Sequence, residues 1–245
     1  MKRKQEVHVR VKKYEHENGV QIREIIHDGV TLENIYTQNG KVLPRIGIEG
    51  YLADQIKAFT LLDKDLRNVI EWLKIAQEID DESDGNNAFL DGSIKYSLII
   101  KSLFVSILTT YGKCFTQATG RRFTLNKKHI PAEYVDFHEK IINARHNYAA
   151  HKGMHDHEDC RVSLVIFNKW DARPFEIFTE LRQHSFLIDQ KTPVVIADFI
   201  ELCESLRRIL NEKKSTVIEK ITREKILTIK EKQWLKMKGK SISLD

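Results

Sequence analysis

The sequence predicts a mainly α-helical protein, a bundle of four or five helices with an antiparallel β-meander at its N-terminus. Three observations carry this reading. From residue 49 onward, apolar residues step by threes and fours through most of the chain. Before that point, Asn-Gly or Asp-Gly dipeptides recur every ten or eleven residues between short β-prone runs. The composition is that of a globular chain, 41% apolar and 31% charged with four prolines in 245 residues, so a core of useful size can form.

Val7, Val9 and Val11 alternate with His8, Arg10 and Lys12, the period of a strand. Asn18-Gly19, Asp28-Gly29 and Asn39-Gly40 accept positive φ and predict two-residue hairpin turns. Further strands follow over residues 20–27, 30–37 and 41–48, completing a four-stranded meander. One face of such a sheet needs cover, and the helices are its expected source.

Beyond Gly50, Leu52, Ile56, Phe59, Leu62, Leu66, Ile70 and Leu73 define an amphipathic helix ending near Ile79. Residues 80–87 are acidic and carry Gly and Asn, hence a loop. Residues 93–118 are apolar nearly all round (Leu98, Ile99, Ile100, Leu103, Phe104, Ile107, Leu108, Tyr111, Phe115), which predicts a helix at the bundle's centre, closed by Gly120. A third helix opens at Pro131, with Tyr134, Phe137, Ile141, Ala144 and Tyr148 as its apolar stripe, and ends by Gly153. Residues 162–167 and 175–181 read as two short strands around Arg173-Pro174. Thr192-Pro193 starts a fourth helix whose stripe is Val195, Phe199, Leu202, Leu206 and Ile209. Thr216 and Glu219 have capping-box spacing, so a fifth helix is predicted for the tail. The predicted organisation is a meander over 1–48, a bundle over 49–213 and a basic tail over 214–245.

Charge and cysteine content narrow the function classes. Three distant cysteines, Cys114, Cys160 and Cys203, draw no disulfide framework, which points to a reducing, cytoplasmic setting. The basic N-terminus runs into an alternating pattern rather than the apolar run of a secretory signal. The most apolar stretch, residues 102–112, is too short to span a bilayer. The net charge of +5 is unevenly placed: residues 207–240 hold twelve Lys/Arg against four Glu, and residues 1–48 nine against six acids. The remainder therefore carries −6. A basic tail on an acidic body fits an anionic partner, RNA first, or a solvated basic helix. The edge of the meander and the tail are also places where a protein partner can dock.

The segment from Ala144 to Gly153 concentrates chemistry on the polar side of a helix and its end: Arg145, His146, Asn147, His151 and Lys152. Arginine offers a planar, permanently charged fork that suits a phosphodiester. A histidine titrating near neutrality can take a proton from a ribose 2′-hydroxyl and return one to the leaving oxygen. Together they suffice for RNA cleavage without a metal, the arginine neutralising charge that grows on the phosphoryl group. On one continuous α-helix, six positions turn the chain by about 600°, so Arg145 and His151 would lie roughly 120° apart. Either the helix breaks before His151 or a second chain completes the site. The structural reading of the same pair is an arginine bridging to an acid and a histidine capping last-turn carbonyls.

Arg followed at this spacing by His occurs four times, as Arg3/His8, Arg10/His16, Arg122/His129 and Arg145/His151, so spacing alone identifies nothing. Only the fourth pair falls on a predicted helix. Arg121 and Arg122 form a basic turn that can hold a phosphate or simply lie on the surface. Tyr148 lies beside the motif as a substrate contact and also continues the apolar stripe. His151, His155, His157 and Cys160 lack the two tight ligand pairs of a structural zinc site, so neither metal nor cofactor is expected. Trp170 and Trp234 can stack on bases, although packing is the commoner role at such positions.

The heptapeptide Arg145-His146-Asn147-Tyr148-Ala149-Ala150-His151 resembles the motif of the HEPN domains (higher eukaryotes and prokaryotes nucleotide-binding): Arg, a polar residue, a short spacer and His. The surroundings over about residues 52–212 are also similar: a long amphipathic helix, a very apolar one, the loop Gly120-Arg121-Arg122, the motif helix and a closing helix. The likeness is greatest to the abortive-infection branch. The resemblance implies a homodimer whose motif helices face each other across one cleft. It also implies metal-independent endoribonuclease activity, often within defence or toxin systems. By match to the motif, Arg145 and His151 would be catalytic, with His146 or Asn147 as the accessory polar residue. Some toxins of the family carry a modifiable Tyr three residues after the motif His; Met154 stands there in this chain.

Overall fold

The computed structural model describes residues 9–16, 18–27, 30–81, 94–117, 122–146, 158–166, 175–183 and 196–243. It divides into two compact units, one of Met1–Ala53 with Lys220–Asp245 and the other of Asp54–Glu219. These divisions fall a few residues beyond the sequence boundaries at 48/49 and 213/214.

The first unit holds strands β1 (Val9–Glu15), β2 (Gln21–His27), β3 (Val30–Gln38) and β4 (Lys41–Val42), antiparallel in that order. The register runs from Val9 opposite His27 to Glu15 opposite Gln21, with a bulge where β3 passes Ile25/Ile26 of β2. Asn39 and Gly40 both have positive φ (50° and 74°), as a two-residue type I′ turn requires. The Asn18-Gly19 turn is longer than the predicted two residues. His16 donates its amide to Val20 O, and Gly19 donates to His16 O, leaving Gly19 as the residue at positive φ. The Asp28-Gly29 turn lies outside the described residues. Thr37 is buried, whereas Val11 and Tyr14 stay exposed.

The fourth strand is a correction. It spans two residues rather than 41–48, because Pro44 has no amide to give the ladder. The chain resumes as β5 (Gly47–Glu49), which pairs in parallel with β8 (Ser241–Ser243) at the far end of the sequence. Gly47 sits opposite Ser241, where an added Cβ would come within 2.5 Å of Ser241 Oγ. Ahead of β8 lie a π turn over Thr222–Ile226 and a short helix, α5 (Glu231–Lys236). Trp234 donates its indole N–H to Ile226 O at 3.3 Å and lines an apolar groove with Pro44, Ile46 and Ile48, a packing role.

The second unit takes α1 (Tyr51–Asp81) from Asp54, α2 (Ile94–Cys114), α3 (Val135–Ala144), α4 (Ile196–Ile221) as far as Glu219, and a hairpin of β6 (Glu158–Ile166) and β7 (Phe175–Gln183). Its core joins Leu62, Leu66, Ile70 and Leu73 of α1 to Ile100, Phe104, Ile107 and Tyr111 of α2. Ile141 of α3 and Phe199, Leu202, Leu206 and Leu210 of α4 complete it. Of the predicted stripes, Phe59, Leu62, Leu66, Ile70 and Leu73 of α1 and Phe199, Leu202 and Leu206 of α4 are buried, whereas Leu52, Ile56 and Ile209 are half-buried and Leu210 takes the core place beside Ile209.

Three expectations for this unit are corrected. Helix α2 is not buried all round: Leu98 and Val105 are exposed, because each helix of so small a bundle keeps one side in solvent. The third helix does not start at Pro131 as α-helix. A 3₁₀ turn over Ala132–Tyr134 comes first, and α3 begins at Val135. No helix starts at Thr216, because α4 runs unbroken through it. The Thr216 hydroxyl bonds back to Glu212 O at 3.0 Å instead of capping a new amide. The Thr192-Pro193 start and the stripe residue Val195 lie outside the described residues. The strands near 162 and 175 are present and longer than predicted, nine residues each. Among the described residues, no helix is long and apolar enough to cross a membrane.

Candidate functional site

Helix α3 presents two side chains to the same part of α2. His138 and Arg145 are seven residues apart, two helical turns, and therefore lie on one face. His138 is buried, and its Nδ1 stands 2.8 Å from the Tyr111 hydroxyl, which is also buried. Burial raises the phenol well above its usual pKa and lowers the imidazole, so the pair is neutral, with the phenol donating to an unprotonated Nδ1. Phe115 and Tyr111 close on the imidazole ring at centroid distances of 4.5 Å and 5.8 Å.

One residue further along α2, Gly112 takes Arg145. A Cβ built on Gly112 would lie 3.0 Å from Arg145 Cγ, 3.1 Å from Cδ and 3.2 Å from Nε. The stem of Arg145 is thus laid against the bare backbone of α2, and the residue as a whole is half-buried. The next residue, Lys113, reaches Asp65 of α1 at 3.3 Å; Asp65 is a buried carboxylate that also pairs with Lys64 at 3.4 Å. Three successive residues of α2 therefore face an imidazole, a guanidinium and a carboxylate in turn.

The α-helix proper ends at Ala144. Arg145 follows with helical angles, its amide shared between Ile141 O and Ile142 O, and the turn widens to a π turn over Arg145 and His146. Such widenings re-aim side chains and recur at functional sites. Arg145 Nη1 lies 3.4 Å from His146 Nδ1, a long contact in which the imidazole nitrogen must be the acceptor. His146 itself is exposed.

Of the residues singled out in the sequence, Arg145 and His146 are thus neighbours at one helix end. Asn147, Tyr148, His151 and Lys152 lie outside the described residues, as do Arg121 and Trp170. Arg122 is described, and its Nε bridges to Asp54 Oδ2 at 3.2 Å on the surface. His129, its partner in the third Arg/His pair, closes a turn: Asn126 donates its amide to His129 Nδ1 at 3.1 Å and accepts from Lys128 N through its side chain. That pair is structural. Cys160 of the His/Cys-rich segment is exposed on β6, and no described group of His, Cys, Asp or Glu is arranged to hold a metal ion.

Gly112, His138 and Asp65 were missed by the sequence reading. His138 had a signal: Tyr134, His138, Ile141, Arg145 and Tyr148 form a second stripe at spacings of three and four, and a His and an Arg within it mark the face toward α2. No protein-family model, curated protein or solved structure matches the chain.

Proposed function

We propose that this chain is a metal-independent endoribonuclease of HEPN type, working as a homodimer in a prokaryotic defence or toxin system. The observation that carries the reading is the fixed seat of Arg145 on Gly112, at the start of the Arg-His-Asn-Tyr-Ala-Ala-His heptapeptide. An arginine whose stem is packed and whose fork stays accessible is suited to neutralise a phosphoryl group without reorganising. The chemistry assigned to the heptapeptide is intramolecular transfer. His151 takes the proton of a ribose 2′-hydroxyl, and the 2′-oxygen forms its bond to phosphorus. The bond from phosphorus to the 5′-oxygen breaks, and that oxygen leaves with a proton supplied by an acid. The products are a 2′,3′-cyclic phosphate and a 5′-hydroxyl. Arg145 stabilises the charge that grows on the non-bridging oxygens, while His146 and Asn147 orient the RNA.

A second reading is favoured by the charge of residues 207–240, twelve Lys/Arg against four Glu. It is a catalytically silent module that binds RNA through this region, or docks a protein partner. The two readings part on total RNA in EDTA, comparing wild type with Arg145→Ala and His151→Ala. Cleavage lost by a factor of at least about 10² in both variants supports the nuclease. Intact RNA from folded wild type, with RNA affinity unchanged by His151→Ala, supports the silent module.

A further inference from the structure

The last stretch of the chain, residues 220–243, carries eight Lys or Arg against two acids, Glu224 and Glu231. It is folded onto β5 rather than trailing as a free helix. Gly239 donates its amide to Arg45 O at 2.7 Å, Gly47 donates to Lys240 O at 2.9 Å, and β8 pairs with β5. Glu224 is held by Arg223 at 3.3 Å, whereas Lys230, Lys236, Lys238 and Lys240 are exposed. Set among these cations are two leucines in water, Leu227 at 75% exposure and Leu235 at 52%. Their chain neighbours Ile226 and Trp234 line the apolar groove that Pro44, Ile46 and Ile48 complete. Ile48 reaches the groove from one face of β5, and strand alternation turns Glu49 to the other.

An exposed leucine forfeits the gain of burial, and a cluster of lysines repels itself. A partner that is anionic at its surface and apolar beneath relieves both. We propose that residues 220–243 and the groove beside them form a docking surface for an anionic lipid bilayer. The lysines meet the headgroups, Leu227 and Leu235 enter the acyl boundary, and the amphipathic indole of Trp234 sits at the level between. Two features favour lipid over other anionic partners. Trp234 is the one aromatic residue of the segment, its N–H is committed to Ile226 O and its ring lines the groove, so RNA bases find little to stack on. A leucine three-quarters exposed is a knob, which suits a deformable acyl layer and not the recessed pocket that anchors an acidic peptide. Lipid docking goes beyond the ribonuclease reading and does not depend on the Arg145 site, which belongs to the other unit.

Flotation of the full chain with unilamellar vesicles tests the proposal. Binding to phosphatidylcholine vesicles with about 30% phosphatidylglycerol is expected to be at least about a hundredfold tighter than to phosphatidylcholine alone, and to weaken with added salt. Leu227→Ser/Leu235→Ser keeps the charge and is expected to cut binding to the anionic vesicles at least about tenfold. Its melting temperature is expected to stay unchanged, since both side chains already lie largely in water. Lys236→Gln/Lys238→Gln/Lys240→Gln is expected to cut the same binding about a hundredfold. No binding to the anionic vesicles, equal binding to both kinds, or binding that the two serines leave unchanged overturns the proposal. So does a single-stranded RNA oligonucleotide bound through these lysines while the anionic vesicles float free, a result that assigns the segment to nucleic acid.

Discussion

Arg145 takes its place from a residue with no side chain. With Arg145 Cγ, Cδ and Nε at 3.0 to 3.2 Å from the position of a Cβ on Gly112, an alanine there must push the arginine aside by a few tenths of an ångström. Alanine also favours the helix by up to about 1 kcal/mol over glycine. Gly112→Ala is therefore expected to keep or raise the melting temperature while lowering RNA cleavage at least about tenfold, since misplacement by fractions of an ångström is felt in catalysis. Unchanged cleavage would mean that the seat of Arg145 is incidental. The Tyr111–His138 pair makes a separate prediction. Tyr111→Phe strands a buried imidazole nitrogen and is expected to lower stability by about 1–3 kcal/mol. Burial holds the folded imidazole below its ordinary pKa, so the unfolded chain binds the proton more readily below about pH 6.5. Stability is full above that pH and falls as the pH drops toward the folded value. His129 is lowered in the same sense, so His138→Asn is expected to shallow the slope of urea midpoints between about pH 6.5 and 5 without abolishing it. An unaltered slope would contradict a buried neutral His138.

At the scale of elements, legibility followed the strength of the period. The stripes of α1 and α4 were readable because burial on one face repeats every 3.6 residues, and β2 and β3 were readable from the Asn-Gly and Asp-Gly dipeptides that bracket them. What misled was local chemistry that tertiary context reassigns. Thr216 with Glu219 has the spacing of a capping box, but no breaker precedes it, so α4 runs through and the hydroxyl turns back to Glu212 O. Thr216→Ala separates the two: loss of a cap would cost about 1 kcal/mol, whereas an exposed mid-helix threonine gains a few tenths or more as alanine. We expect a small rise in urea midpoint; a clear fall would restore the cap. The truncation of β4 was written in Pro44, and the parallel partner of β5 was not. A pairing between residues 47–49 and 241–243 leaves no periodic mark in either segment. The motif was legible as Arg145 with His146 at a helix end. Its support was not, because Gly112 and Asp65 lie on other helices and no spacing within the heptapeptide points to them.

For the whole molecule, the last strand of the chain returns to Gly47–Glu49, so the N-terminal unit is closed by residues from both ends of the sequence. The helical unit carries both the Arg145 site and the hairpin of β6 and β7. The central claim is transfer to the 2′-oxygen without a metal, and end-group analysis after cleavage in EDTA tests it most directly. An RNA oligonucleotide is expected to be cut by the full chain, leaving a 2′,3′-cyclic phosphate and a 5′-hydroxyl. The same oligonucleotide with a 2′-deoxy residue at the cut site is expected to stay intact. Cleavage of the deoxy substrate, a 5′-phosphate product, or activity that appears only with added divalent cation would contradict the account.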